Sequence, residues 1–417
     1  MVESRRSDER PIGPVSPPCA GTADPGGAAR TESAASRPAP GLLALLSTGH
    51  MVVDINQGAL PAILPFLREA FALSYAGAAV IMLVASVTSS VIQPLFGYLA
   101  DRMARRWLLP LAVFVSGLGV GLTGVAPSYA MVLGAVTLAG LGIAAYHPEG
   151  YRTASQVAGA RKATGLSFFS VGGNAGLALG PVIVTLLITT FGLPGSLGLL
   201  VPSVLAAGVL AIALPRLAIP GSVQPAVTQG ASARPMVAAM GLLILIVTLR
   251  SWTQLGLTTF VPFYYLDVLH GDPRMVGPLL FAFLGAGAVG TLVGGRLADR
   301  WGPRRVILYA FLCATPLIAG FLLTRGIVGL LFLAGSGFML VSTFTVSVVL
   351  AQAYLPKHLG MASGLIVGFA IGTGGIGVAG LGLVADRWGL LTALGLIAVM
   401  PLAGFLAARL LPEPPRA

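Results

Sequence analysis

The sequence predicts an all-α membrane protein, with twelve transmembrane helices arranged as two pseudo-symmetric six-helix halves. Three observations lead there: an apolar composition, a succession of helix-length apolar runs, and an internal repeat about half the apolar length apart. Of 417 residues, 56% are hydrophobic and only 9% charged, with a mean hydropathy of +0.89. A soluble globule ordinarily carries about 25% charged residues, so much of this surface must face lipid. The runs are near the roughly 20 residues a helix needs to cross a bilayer. Stretches such as 108–125 and 197–214 are apolar on all sides, which excludes the alternation of a β-barrel. The 56 glycines suit membrane helices that approach closely through small residues.

Taken in order, residues 1–40 are rich in Pro, Gly, Ala and Ser without apolar periodicity, and are expected to be a disordered cytoplasmic tail. No apolar h-region precedes Gly41, so the first span is expected to act as the targeting signal. Spans are predicted at 42–67, 75–99, 107–126, 129–150, 163–190, 196–214, 236–266, 276–297, 306–323, 327–350, 360–384 and 390–411. The halves are therefore 41–214 and 236–411, joined by a cytoplasmic linker at 215–235 and followed by a short tail at 412–417. Arg102, Arg105, Arg106, Arg152, Arg161, Lys162, Arg216, Arg234, Arg300, Arg304, Arg305 and Lys357 all follow even-numbered spans. By the positive-inside rule those loops and both termini are expected in the cytoplasm.

The net charge of +11 resides mainly in these short loops and the tail rather than on one basic face, so no nucleic-acid partner is expected. Cys19 lies in the polar tail and Cys313 in an apolar run, which leaves neither a disulfide framework nor a cysteine metal site.

The repeat is specific. Gly97-Tyr-Leu-Ala-Asp101-Arg102-Met-Ala-Arg105-Arg106 returns as Gly295-Arg-Leu-Ala-Asp299-Arg300-Trp-Gly-Pro-Arg304-Arg305, an offset of 299 − 101 = 198. Gln57 to Pro65-Phe66 returns as Gln254 to Pro262-Phe263, offset by 197. Twelve spans in six plus six, with this motif after spans two and eight, resemble the major facilitator superfamily of secondary transporters. Within it, His50-x-x-x-Asp54-x-x-Gln57, Ser89-Ser-Val-Ile-Gln-Pro-Leu-Phe-Gly97, Tyr146-His147-Pro148-Glu149-Gly150, Gly172-Gly-Asn174 and Arg250-Ser-Trp252 resemble the fosmidomycin resistance group. The resemblance implies the major facilitator fold and a bacterial inner-membrane protein. It also implies efflux, with protons exchanged for a small antibiotic or related metabolite, anionic or neutral. Gly176-x-x-x-Gly180-Pro181 partly meets the antiporter motif, whereas Thr137 stands where many drug antiporters carry an arginine.

Ionisable groups inside a bilayer are expensive and are functional candidates by default. His50, Asp54 and Gln57 are spaced i, i+4, i+7 and share a face. A superfamily site lies near the midplane between the halves, where Asp54, His147, Glu149, Asn174, Arg250, Trp252 and Gln254 are expected to meet. Desolvation disfavours a charged carboxylate, so Asp54 and Glu149, with His147, are the candidate proton-coupling residues. Arg250 keeps its charge and offers a planar fork to an anion; it is the candidate substrate anchor, with Gln57, Asn174, Trp252, Gln254 and His50 as further substrate-binding residues. Competing structural roles are a pair between Asp54 and Arg250, and one between Glu149 and Arg152 or Arg161. Gly97, Asp101, Arg102, Arg105 and Arg106, with Gly295, Asp299, Arg300, Arg304 and Arg305, are expected to form the cytoplasmic gate.

No phosphate loop, zinc-spaced ligand cluster or nucleophile elbow occurs. An ATP-driven pump and an enzyme are thereby disfavoured, and no cofactor or metal is expected. The expected partners are a small-molecule substrate, protons and the lipid bilayer, with the chain acting as a monomer. Proton-coupled uptake of a sugar or organic acid is the alternative to efflux, and a channel the alternative of a different class.

Overall fold

A computed structural model describes residues 39–96, 106–158, 162–217, 236–355, 359–370 and 372–413. The tail at 1–38, most of the linker, and Gly97, Asp101, Arg102 and Arg105 lie outside the described residues. Among those described there is no strand.

Helices occupy every predicted span. They are α1 (Pro40–Ala70), α2 (Tyr75–Phe96), α3 (Leu108–Thr123), α4 (Tyr129–Val157), α5 (Lys162–Phe191), α6 (Leu193–Leu217) and α7 (Val237–Val268). There follow α8 (Pro273–Trp301), α9 (Pro303–Leu323), α10 (Gly326–Tyr354), a broken α11 (Leu359–Gly364, Leu365–Ala370, then Gly374–Trp388) and α12 (Leu390–Arg409). Nine of them are long and apolar enough to cross a membrane. Of the others, α3 has 16 residues, α11 is interrupted, and α1 carries Ser47, Thr48, His50, Asp54, Asn56 and Gln57 along its middle.

Local chemistry sets the ends. Ser74 and Ser128 side chains accept the amides of Gly77 and Met131, capping α2 and α4. Pro40 and Pro303 sit in the first turns of α1 and α9, where a missing amide hydrogen costs nothing. Gly302 and Gly389, at φ 86° and 89°, end α8 and α11 in a conformation that other residues adopt only with strain. Helix α4 runs on to Val157 rather than stopping near 150. Its last turns are polar because they leave the apolar zone.

The duplication is visible in the backbone. The amide of Ala39, just before α1, donates to Val157 O at the end of α4, and that of Met236, just before α7, donates to Tyr354 O at the end of α10. Both members of the second pair lie 197 residues after the first (236 − 39 and 354 − 157). Within the first half α1 packs most extensively on α5; within the second, α8 on α10. The halves meet through α2 against α11 and α5 against α8. Side chains such as Ile212 and Leu323, more than four-fifths exposed, mark the lipid-facing perimeter.

Candidate functional site

The site begins with how closely α5 approaches α1. Gly172, Gly176 and Gly180 recur every fourth residue on α5, and a side chain at any of them would strike the α1 backbone at Ser47, Met51 or Ile55. Gly58 of α1 meets Leu177 in the same way. The glycines of the partial antiporter motif are thus the packing surface that holds α1 in place.

What α1 presents is His50 and Asp54. His50 Nε2 lies 3.4 Å from Asp54 Oδ2, and His147 Nε2, from α4, lies 3.3 Å from Asp54 Oδ1. His50 is stacked on Phe169 of α5 with ring centroids 4.2 Å apart and is edge-on to His147 at 5.1 Å. The Tyr146 hydroxyl, fully buried, donates to Leu46 O at 2.8 Å and ties α4 to α1 beside the cluster.

The remaining ring nitrogens define the chemistry. His50 Nδ1 is 2.9 Å from Phe169 O, and His147 Nδ1 is 2.9 Å from Ile143 O. A carbonyl only accepts, so each Nδ1 carries hydrogen, and in the neutral ring each Nε2 is then a bare acceptor. An ionised Asp54 between them accepts as well. Three acceptors facing one another repel until protons join them; the first proton turns one contact into a hydrogen bond and a second proton turns the other. The three ligand atoms lie within 4.8 Å of one another, a spacing that also admits a metal ion, though no fourth His, Cys, Asp or Glu joins them among the described residues. Sequence spacing did not show this cluster as a ligand set because its members come from two helices.

Across the cavity stands Arg250 of α7, only 3% exposed. Its Nη1 donates to Gln254 Oε1 at 2.8 Å, its guanidinium lies 5.6 Å from the Phe344 ring, and its Nε is buried without a hydrogen-bond partner. Among the described residues it forms no ion pair. A buried cation lacking a counter-charge is costly, and an anion entering beside it would relieve that cost.

A cavity of about 430 Å³ joins the two groups. Of the residues predicted for the site, His50, Asp54, Gln57, His147, Asn174, Arg250 and Gln254 line it. Glu149 and Trp252 do not appear in its wall. Glu149 is buried and bonds Arg152 through both carboxylate oxygens, at 2.5 and 3.2 Å, so it occupies the structural pairing that the sequence left open. The Trp252 ring lies against Gly377 of α11. Asp54 does not pair with Arg250; its partners are the two histidines.

Sequence reasoning did not assign Ser86, Ser89, Ser90 and Gln93 to the site, yet all four line it from α2. Their spacing at a helical period was the available signal. Among the gate candidates, Asp299 and Arg300 are exposed at the end of α8, Gly295 is half-buried above them, and Arg305 is exposed in the first turn of α9. Arg304 donates to Arg409 O at 2.8 Å, and Arg106 reaches Gln156 at 3.3 Å.

A bundle of membrane-length helices that encloses a polar, partly charged cavity between repeated halves is a transporter rather than an enzyme. The chain matches the Major Facilitator Superfamily over residues 46–377, and it belongs to that family. It is 35% identical over 379 residues to the uncharacterized MFS-type transporter YfnC of Bacillus subtilis (strain 168), covering 88% of this chain and 91% of that one. It is 32% identical over 390 residues to the fosmidomycin resistance protein of Escherichia coli (strain K12), covering 91% and 95%. Its fold is similar to that of an inward-facing, occupied bacterial homolog of the human lysosomal transporter Spinster, with TM-score 0.69, 15% identity, and 89% and 96% of the two chains covered. It is likewise similar to the inward-open xylose transporter XylE from E. coli, with TM-score 0.68, 13% identity, and 89% and 96% covered.

Proposed function

We propose that this chain exports a small anionic compound, an antibiotic or a related metabolite, in exchange for protons by alternating access. The observation that carries the coupling is the commitment of both histidine Nδ1 atoms to carbonyl oxygens, which leaves Asp54 between two acceptors. Protonated, the cluster is bonded and compact. Deprotonated, it holds a carboxylate facing two lone pairs and relaxes by moving α1 against α4. The anion is anchored by Arg250, already held by Gln254, with Gln57, Asn174 and the serines of α2 supplying neutral donors and acceptors. His50 belongs with the proton site in this reading. The relative that confers fosmidomycin resistance supports efflux, and the arginine-rich loops support an inner-membrane orientation with both termini in the cytoplasm.

The test uses the purified chain in proteoliposomes with fosmidomycin as probe. An imposed pH gradient should drive fosmidomycin against the proton flux, and Asp54→Asn should abolish that drive while leaving exchange of labelled for unlabelled probe. Retention of full gradient-driven transport by Asp54→Asn removes the cluster from the mechanism. Movement of the probe with the protons instead of against them establishes uptake.

A further inference from the structure

The gate motif has a third copy. Ala385-Asp386-Arg387-Trp388-Gly389 repeats Ala298-Asp299-Arg300-Trp301-Gly302 without a change. The two helix ends also match in backbone: Gly302 and Gly389 have φ 86° and 89°, and their amides bond Ala298 O and Ala385 O at 2.9 and 3.0 Å. Helices α8 and α11 are the middle members of successive three-helix units, which in this fold are related by inversion. The same five residues therefore end at opposite faces of the membrane, the third copy lying away from the arginine-rich loops.

At that face the Asp386 carboxylate accepts the amides of Tyr75 at 2.7 Å and Ala76 at 3.1 Å, the first two of α2. Ser74 takes the third, from Gly77. Two of the orphan donors that every helix start exposes are thus satisfied by the other half of the molecule. Beside them Arg68 pairs with Asp267 at 2.8 Å and lies 4.1 Å from the Tyr75 ring, while the Tyr75 hydroxyl donates to the same Asp267 oxygen at 2.8 Å. Arg68 and Tyr75 come from the first half, Asp267 and Asp386 from the second. Below, Gly382 lets α11 close onto Ala76.

We propose that Asp386, Asp267, Arg68 and Tyr75 form a latch that closes the cavity at the face opposite the arginine-rich loops, and that Asp386 performs there a helix-capping task on α2. The groups are partly or largely exposed, Arg68 by 29% and Asp267 by 33%, so water replaces the lost bonds when the latch parts. Such contacts are individually weak, which suits a closure released once per transport cycle.

The experiment labels a single cysteine, Ser86→Cys, in a Cys19→Ser/Cys313→Ser background, using a membrane-impermeant maleimide applied at the latch face of oriented vesicles. Ser86 lines the cavity beneath the latch. Adding Asp386→Ala and Asp267→Ala together should raise the labelling rate about tenfold, the combined effect of a lost helix cap and a lost exposed ion pair. An unchanged or slower rate overturns the proposal. Arg68→Glu should also accelerate labelling, and Arg68→Glu with Asp267→Arg should slow it again; a double variant that labels as fast as the single one overturns the proposal independently of how Asp386→Ala folds. Neither readout involves substrate or protons, so failure here leaves the proposed export untouched.

Discussion

Gly173→Ala separates the proton cluster from the scaffold that holds it. A Cβ built on Gly173 lies 2.5 Å from His50 Cε1 and 2.6 Å from both His50 Nε2 and Asp54 Oδ2. Restoring the 2.6 Å approach to an ordinary 3.4 Å contact requires about 0.8 Å of movement. Taken up by parting the two side chains, it lengthens their 3.4 Å contact to about 4.2 Å, beyond hydrogen-bond reach. A charge-assisted bond of this kind contributes about 1.5 kcal/mol, close to a factor of ten in proton affinity. The contact attracts only when the proton is present, so weakening it lowers affinity for the proton. The pH at half-maximal proton-coupled transport should then move about one unit toward acid. The side chains can yield, so thermal stability should change little. Gly176→Ala is the control: its Cβ meets the Met51 and Ile55 backbone, which cannot yield, and overpacking there should cost about 1–3 kcal/mol of stability. The assays are the pH dependence of proton-coupled transport in proteoliposomes and thermal melting in detergent. A Gly173→Ala protein with the wild-type pH profile would refute the assignment of His50 to the cluster.

Two further substitutions separate the substrate anchor from a structural ion pair. Arg250→Lys exchanges a planar fork held by Gln254 for a point charge and should weaken an anionic probe about tenfold or more, read as an increased KM for transport; an unchanged KM rejects the anchor. Glu149→Gln weakens the charge-assisted bonds to the partly exposed Arg152 and should cost about 1.5–3 kcal/mol of stability, with the pH dependence of transport unaltered in the protein that folds. A displaced pH profile in Glu149→Gln would return that residue to the coupling mechanism.

The fold was legible because membrane insertion reads the chain locally. Twenty-residue apolar runs, glycine and serine at their ends and a repeat at an offset near 197 are one-dimensional signals, and the bilayer imposes the remaining constraint that every backbone group be bonded within a helix. The interruption of α11 was not drawn from the sequence, although Gly372, Gly374, Gly375 and Gly377 cluster there and glycine weakens a helix interior. The site was partly legible. His50, Asp54 and Gln57 share a face by periodicity alone, and Arg250 stands out as a cation in an apolar span.

By itself, then, the sequence determined the family, the number of helices, the duplicated halves and the short set of polar residues that a membrane interior tolerates only with purpose. The tertiary structure decided which of those residues meet. It put His147 on Asp54 and left Arg250 to Gln254, because partners drawn from different helices depend on helix rotation and on approaches such as that of Gly173. It turned Glu149 to Arg152, a partner one helical turn away. It also gave Asp386 a role on α2, some 310 residues away in the chain, since an exposed helix start takes whichever acceptor the opposite half brings to it.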